Sequence, residues 1–148
     1  MGSYGVIAVV LALLGKFALL SALPTALVPV VLLAGQALSR FCALLLMAFM
    51  DYERDDELSK ARPVAGRLAL GAGAFAAIFA FAPLCLLPLE RAMAGAVLAG
   101  VATFWLAAKC RRWLGGYTGD CLGATQQVAE IAFYLGCLAQ LLGSSNAT

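Results

Sequence analysis

Five long apolar stretches follow one another through almost the whole chain, and most of the charges that would interrupt them are gathered into two clusters. A helix needs about 20 mostly apolar residues to cross the hydrocarbon core of a bilayer, and a run of that kind offers no second, polar face to water. At 64% hydrophobic and 12% charged residues, with a mean hydropathy of +0.95, the composition excludes an ordinary soluble domain. In 148 residues there is room for about four to six spans and little else. The apolar runs predict helices at roughly 5–22, 25–50, 64–88, 92–108 and 124–142. The expected fold is therefore all-α, a polytopic transmembrane helix bundle of about five spans, with residues 1–148 forming a single membrane domain.

Punctuation and charge refine this picture. Pro24 falls in a very short first connection, Pro63 starts the third run, and Pro83 and Pro88 kink or end it. Eight of the ten basic residues lie either between Arg40 and Arg67 or between Lys109 and Arg112, leaving Lys16 and Arg91. Five spans bring both clusters and the N-terminus to one face, which the positive-inside rule makes cytoplasmic. The expected location is the inner (plasma) membrane, multi-pass, with the N-terminus and the active face in the cytoplasm. No basic residue precedes the first run and Lys16 interrupts it, so it reads as a retained span rather than a signal peptide. Trp113 and Tyr117 suit an interfacial aromatic belt beside Lys109, Arg111 and Arg112.

Chemistry is narrowed by what the chain lacks. It has no histidine, which removes a serine–histidine triad and the usual general base near neutral pH. Its five cysteines, Cys42, Cys85, Cys110, Cys121 and Cys137, include no CxxC pair, so zinc, haem and a disulfide framework are not expected. Nothing points to nucleic acid.

One segment breaks the hydrocarbon pattern: Gly115 to Glu130, GGYTGDCLGATQQVAE. If a helix begins before Asp120, then Gly116, Asp120, Gly123, Gln127 and Glu130 share one face. A charge near mid-membrane costs roughly 2.5–3.5 kcal/mol on insertion scales, so such a stripe must turn inward and find partners. Arg40 and Lys16 are the basic candidates. Two readings stay open here. Gly119 and Gly123 can form a small-xxx-small packing face, with Gln126, Gln127 and Glu130 supplying interhelical hydrogen bonds. Alternatively, the glycine turn before a helix N-terminus can hold an anion such as phosphate. The small residues of the third and fourth runs, Gly66, Gly71, Gly73, Ala74, Gly95, Ala96, Gly100 and Ala102, are explained by helix packing alone. Arg40 either snorkels to the interface or pairs with a carboxylate or phosphate. The loop from Asp51 to Val64 is either a solvated connection or a site. In the second case Asp51, Glu53, Asp55, Asp56 and Glu57 take a divalent cation, and Arg54, Lys60 and Arg62 meet phosphates.

GGYTGDCLGATQQVAE resembles the C-terminal signature of the adenosylcobinamide-GDP ribazoletransferases, the membrane cobalamin synthases. Gly2-Ser3-Tyr4-Gly5 and Ala37-Leu38-Ser39-Arg40 with the charged loop after it extend the resemblance over essentially the whole chain. The resemblance implies a reaction in which a hydroxyl of α-ribazole, or of its 5′-phosphate, attacks the diphosphate of adenosylcobinamide-GDP and GMP leaves. It also implies Mg²⁺ as cofactor, although the metal ligands stay unassigned. It implies catalytic roles for Asp120 and Glu130, and substrate contacts for Gly116, Thr118, Gly119, Gly123, Gln126 and Gln127, to which the basic side chains of Arg40, Arg54 and Lys60 are added as candidate substrate contacts from their charge. Members of that family carry an aspartate-rich segment ahead of the Gly-x-Tyr-Gly stretch, whereas Met1 here is followed at once by Gly2. A fragment, a misplaced start or a partner chain supplying those aspartates is the expected reason. The alternatives from other classes are a small membrane transporter or channel component and a non-catalytic subunit of the synthase.

Overall fold

A computed structural model describes residues 3–50 and 70–145. They form α1 (Ser3–Ser21), α2 (Val28–Phe49), α3 (Leu70–Phe81), α4 (Leu89–Leu114) and α5 (Gly119–Ser145), with a 3-10 turn at Ala82–Leu86. The charged segment 51–63, the onset of the third helix near 64, Gly66, and Arg54 and Lys60 lie outside the described residues. The all-helical architecture expected from the apolar runs is present. Helices α2 and α4, at 22 and 26 residues, are long and apolar enough to cross a membrane. At about 1.5 Å per residue they span roughly 33 and 39 Å, more than the roughly 30 Å of a hydrocarbon core.

Proline sets the breaks where local geometry allows nothing else. Pro83 lies in the 3-10 turn that ends α3, and Pro88 occupies the N-cap of α4 in an extended conformation. Two helices run further than the apolar pattern predicts. Helix α4 extends beyond 92–108 at both ends, so Lys109, Arg111 and Arg112 are helical rather than loop residues. Hydropathy alone misplaces them, because cations favour a helix C-terminus and long basic stems can lie along apolar neighbours. The Lys109 ammonium sits over the rings of Trp113 and Trp105, 4.6 and 5.3 Å from their centres. Gly115 closes the helix at φ 81°, and its N–H donates to the Arg111 carbonyl at 3.2 Å.

Helix α5 is the centre of the bundle and packs on α1, α2 and α4. Phe133, Tyr134, Ala129 and Cys137 on α5 are fully buried against Val31, Ala34 and Leu38 of α2 and Ala99 of α4. Contacts fix the register. Arg91 and Gly95 meet Cys137 and Phe133, and Cys110 meets Cys121, so α4 and α5 are antiparallel. Gly35 lies against Tyr134 and Gln36 against Glu130, so α2 is antiparallel to α5 as well.

Small residues make this closeness possible only at particular positions. A methyl group at Gly136 would sit 2.7 Å from the Ala94 carbonyl oxygen and the Gly95 Cα, and one at Gly95 would meet the Phe133 ring at 2.7 Å. At Gly71, Gly73 and Gly100 a methyl group meets nothing within 4 Å, so helix packing inside this chain does not account for those three. Outward-facing Phe17, Phe75, Ile78 and Phe104 are all more than 60% exposed. An apolar shell of that kind is the inverse of a soluble surface and fits lipid as the surrounding medium.

Candidate functional site

Helix α5 begins at Gly119, one residue after Thr118. The Thr118 carbonyl accepts the N–H of Leu122 at 3.1 Å and its hydroxyl accepts the N–H of Cys121 at 3.3 Å, which makes Thr118 the N-cap. Asp120 stands in the first turn, exposed, where the helix dipole favours a carboxylate. Gly116 and Tyr117 are buried beneath the turn. Gly119 and Gly123 are exposed, and a methyl group on either would meet nothing within 4 Å. Packing within the described residues therefore does not require these two glycines. The small-xxx-small reading finds no helix on them here.

About two turns beyond Gly123, the polar groups change character. Glu130 is 1% exposed. Its Oε2 accepts the Lys16 Nζ at 2.7 Å, and its Oε1 accepts the Gln36 amide at 2.9 Å and the Tyr134 hydroxyl at 2.6 Å. Lys16 also donates to Gln127 Oε1 at 2.6 Å. One carboxylate thus ties α1, α2 and α5 together, and among the described residues no buried side-chain polar atom lacks a partner. Four conventional hydrogen bonds, one of them an ion pair, offset the cost of taking a carboxylate and an ammonium out of water.

The polar stripe expected from spacing therefore has two ends with different fates. Asp120, Gly123 and Gln127 share a face of α5 that is exposed, and Gln126 is half-buried. Glu130 is turned into the bundle. Asp120 and Glu130 are ten residues apart on one helix, about 15 Å along its axis, so the structure does not bring them into one pocket. Gly116 precedes the helix instead of joining its stripe. Of the two basic candidates, Lys16 is the partner of Glu130; Arg40 is exposed and makes no ion pair among the described residues. Arg40 lies one turn from Gln36 along α2, toward the end of the bundle that carries Asp120.

Gln36 and Tyr134 were not legible as site residues. Each had a signal: Gln36 is a lone amide in an apolar run, and Tyr134 stands four residues from Glu130 on one helical face. Among the described residues no group of three or more cysteine or carboxylate side chains is arranged to hold a metal. The oxygens of Glu130 are engaged by donors, which leaves Asp120 as the one described carboxylate of this segment placed to reach a ligand from solvent.

The fold and this segment define a class: helical membrane proteins with a capped, glycine-flanked helix N-terminus open on one side and a buried ionic tie behind it. The family model for cobalamin-5-phosphate synthase matches residues 1–138, and the chain belongs to that family. Similar curated proteins include the adenosylcobinamide-GDP ribazoletransferases of Polaromonas sp. strain JS666 and of Vibrio cholerae. The first is 38% identical over 95% of this chain and 57% of its own length, the second 41% over 95% and 54%. The enzyme of the same name from Shewanella woodyi is 38% identical over 97% of this chain and 56% of its own length. The chain spans about half the length of the curated relatives it matches. No solved structure matches it.

Proposed function

We propose that this chain carries the nucleotide-handling half of an adenosylcobinamide-GDP ribazoletransferase, which joins α-ribazole or its 5′-phosphate to adenosylcobinamide with release of GMP. The observation that carries the reading is the open N-terminus of α5: a helix start with a threonine cap and an exposed aspartate, flanked by glycines that packing does not require. Backbone N–H groups at such a terminus suit phosphate oxygens. In this reading Gly116, Thr118, Gly119 and Gly123 approach the diphosphate. Asp120 positions the attacking hydroxyl or a metal-bound phosphate. Gln126 and Gln127 contact substrate from the next turns, Arg40 supplies positive charge from α2, and Arg54 and Lys60 add to it from the segment after α2. Glu130 acts as a positioning residue: through Lys16 it holds Gln127 at 2.6 Å and fixes α1 and α2 around α5.

The family resemblance brings Mg²⁺ with it. The described residues form no cage for the ion, but magnesium commonly takes one or two carboxylates together with substrate phosphates, and Asp120 offers one such oxygen ligand. Bound there, Mg²⁺ would neutralise charge developing on the transferred phosphoryl group. The protein's own work is to present the helix terminus and to keep the attacking hydroxyl in line.

The proposed setting is the inner membrane, crossed several times, with the N-terminus of α1, the basic end of α4 and the start of α5 on the cytoplasmic side. Arg111 and Arg112 close to Gly119 support this sidedness. A role as an ion or proton path through Glu130 is disfavoured, because both of its oxygens are already held by donors.

The test is complementation and GMP release. This chain alone, and the same chain fused behind the N-terminal portion of a full-length relative, are expressed in a strain lacking cobalamin synthase and assayed in membranes with adenosylcobinamide-GDP and α-ribazole. GMP release is expected from the fused form, and Asp120→Asn should lower it by about 100-fold or more. If neither form releases GMP, the reading fails; near-normal release by the Asp120→Asn form removes the role given to that residue.

A further inference from the structure

The proposed chemistry uses none of the four buried thiols, and two of them meet. Cys110 ends the last turns of α4, Cys121 lies in the first turn of α5, and the Cys110 thiol donates to Cys121 Sγ at 2.9 Å. That separation is only about 0.9 Å longer than a covalent sulfur–sulfur bond of roughly 2.05 Å. Both side chains are under 10% exposed, yet the residues around them, Arg111 to Gly115 and Gly119 to Asp120, are exposed, so a small oxidant has a short path. Between the two cysteines run Gly115, Gly116, Thr118, Gly119 and Asp120, the turn that carries the candidate site. The other cysteines are placed differently: Cys42 and Cys137 are buried in the core, and Cys85 is exposed within the 3-10 turn.

We propose that Cys110 and Cys121 form a reversible disulfide that latches the α4–α5 turn. With hydrogen peroxide as oxidant, one thiolate attacks the O–O bond, becoming a sulfenic acid as hydroxide leaves and takes up a proton to form water. The second thiol then attacks the sulfenic sulfur, the S–S bond forms, the S–O bond breaks and a second water leaves. Two thiols and one peroxide give one disulfide and two waters, and a dithiol reductant reverses the change. On the cytoplasmic side assigned under the proposed function, such a bond is transient, as expected for control rather than for a structural staple. The bond ties the ends of the turn together and withholds the movement by which Thr118 and Asp120 would close on a phosphate.

The experiment uses the purified full chain in nanodiscs, with peroxide as the probe. Oxidation should remove two hydrogen masses and abolish alkylation at Cys110 and Cys121 while Cys42, Cys85 and Cys137 keep their reduced-state reactivity. Trypsin cutting at Arg111 or Arg112 should then give fragments that stay joined without reductant and separate with it, and cutting there should slow. Cys110→Ser and Cys121→Ser should each abolish the joined fragments, and circular dichroism of both variants checks that they fold. Intermolecular dimers through Cys85, or all five thiols still alkylated after peroxide, overturns the pairing. In the fused, active form, GMP release should fall on oxidation and recover with reductant; a disulfide that leaves release unchanged overturns the latch. No GMP release even when reduced counts against the proposed reaction, and the mass and fragment readouts still decide the pairing.

Discussion

Removing the ammonium of Lys16 should loosen the whole bundle, because it leaves the carboxylate of Glu130 buried without its counter-charge. At the 2.7 Å separation, an effective dielectric of about 20 gives a Coulomb attraction of about 6 kcal/mol. Desolvation of the two ions consumes much of that, so the pair's net worth is small. The cost of breaking it from one side is not small: an uncompensated buried charge costs about 3–5 kcal/mol. Lys16→Met keeps the apolar stem and removes only the charge and its hydrogen bonds to Glu130 and Gln127. For a chain of this length 1 kcal/mol corresponds to about 2–4 °C, so the melting temperature in nanodiscs should fall by about 6–20 °C.

Glu130→Gln leaves the mirror-image defect. The double variant Lys16→Met/Glu130→Gln removes both charges and should recover at least half of the loss seen in either single variant, as buried pairs replaced together commonly do. The assay is a double-mutant cycle on thermal or chemical unfolding followed by circular dichroism. Single variants melting within about 2 °C of the parent, or losses that simply add as they do for independent sites, would refute the argument that this pair holds α1 to α5.

Two further outcomes follow from geometry near α5. Gly136→Ala places a methyl group 2.7 Å from the Ala94 carbonyl oxygen and the Gly95 Cα, both backbone atoms, so α4 and α5 must separate; a loss of about 1–3 kcal/mol is expected in the same unfolding assay. Thr118→Ala deletes the hydroxyl that accepts the Cys121 N–H and should cost about 1 kcal/mol, read as earlier amide exchange in the first turn of α5.

What could be read from the sequence was the part governed by local chemistry. Apolar runs located every helix, and Pro83 and Pro88 marked the end of α3, because a missing N–H and a fixed φ act wherever proline falls. The basic end of α4 escapes the apolar pattern because hydropathy counts a lysine as wholly polar, whereas Lys109 lies on two tryptophan faces. The candidate site was half legible. Spacing alone put Asp120, Gly123, Gln127 and Glu130 on one stripe, but it could not say that α1 and α2 cover the Glu130 end and leave the Asp120 end open. That depends on which helices meet α5 at which height. Lys16, Gln36 and Glu130 are separated by up to 114 positions in sequence, a juxtaposition no local pattern encodes.

The open end of that stripe gives a further test. In a bilayer, Asp120 and Gln127 cannot face lipid without paying the cost of exposing polar groups to hydrocarbon. Their exposure leaves room for a polar group, substrate or protein, against this face. Gly123 lies at its centre and has nothing within 4 Å of where a side chain would start. Gly123→Leu should therefore leave the unfolding transition of this chain in place, and replacing a helical glycine even adds a few tenths of a kcal/mol or more. In the fused form the same side chain fills the space the proposed substrate needs, and GMP release should fall about 10-fold or more. Undiminished release with unchanged stability would mean that the glycine face is open to lipid, and that the start of α5 holds no nucleotide.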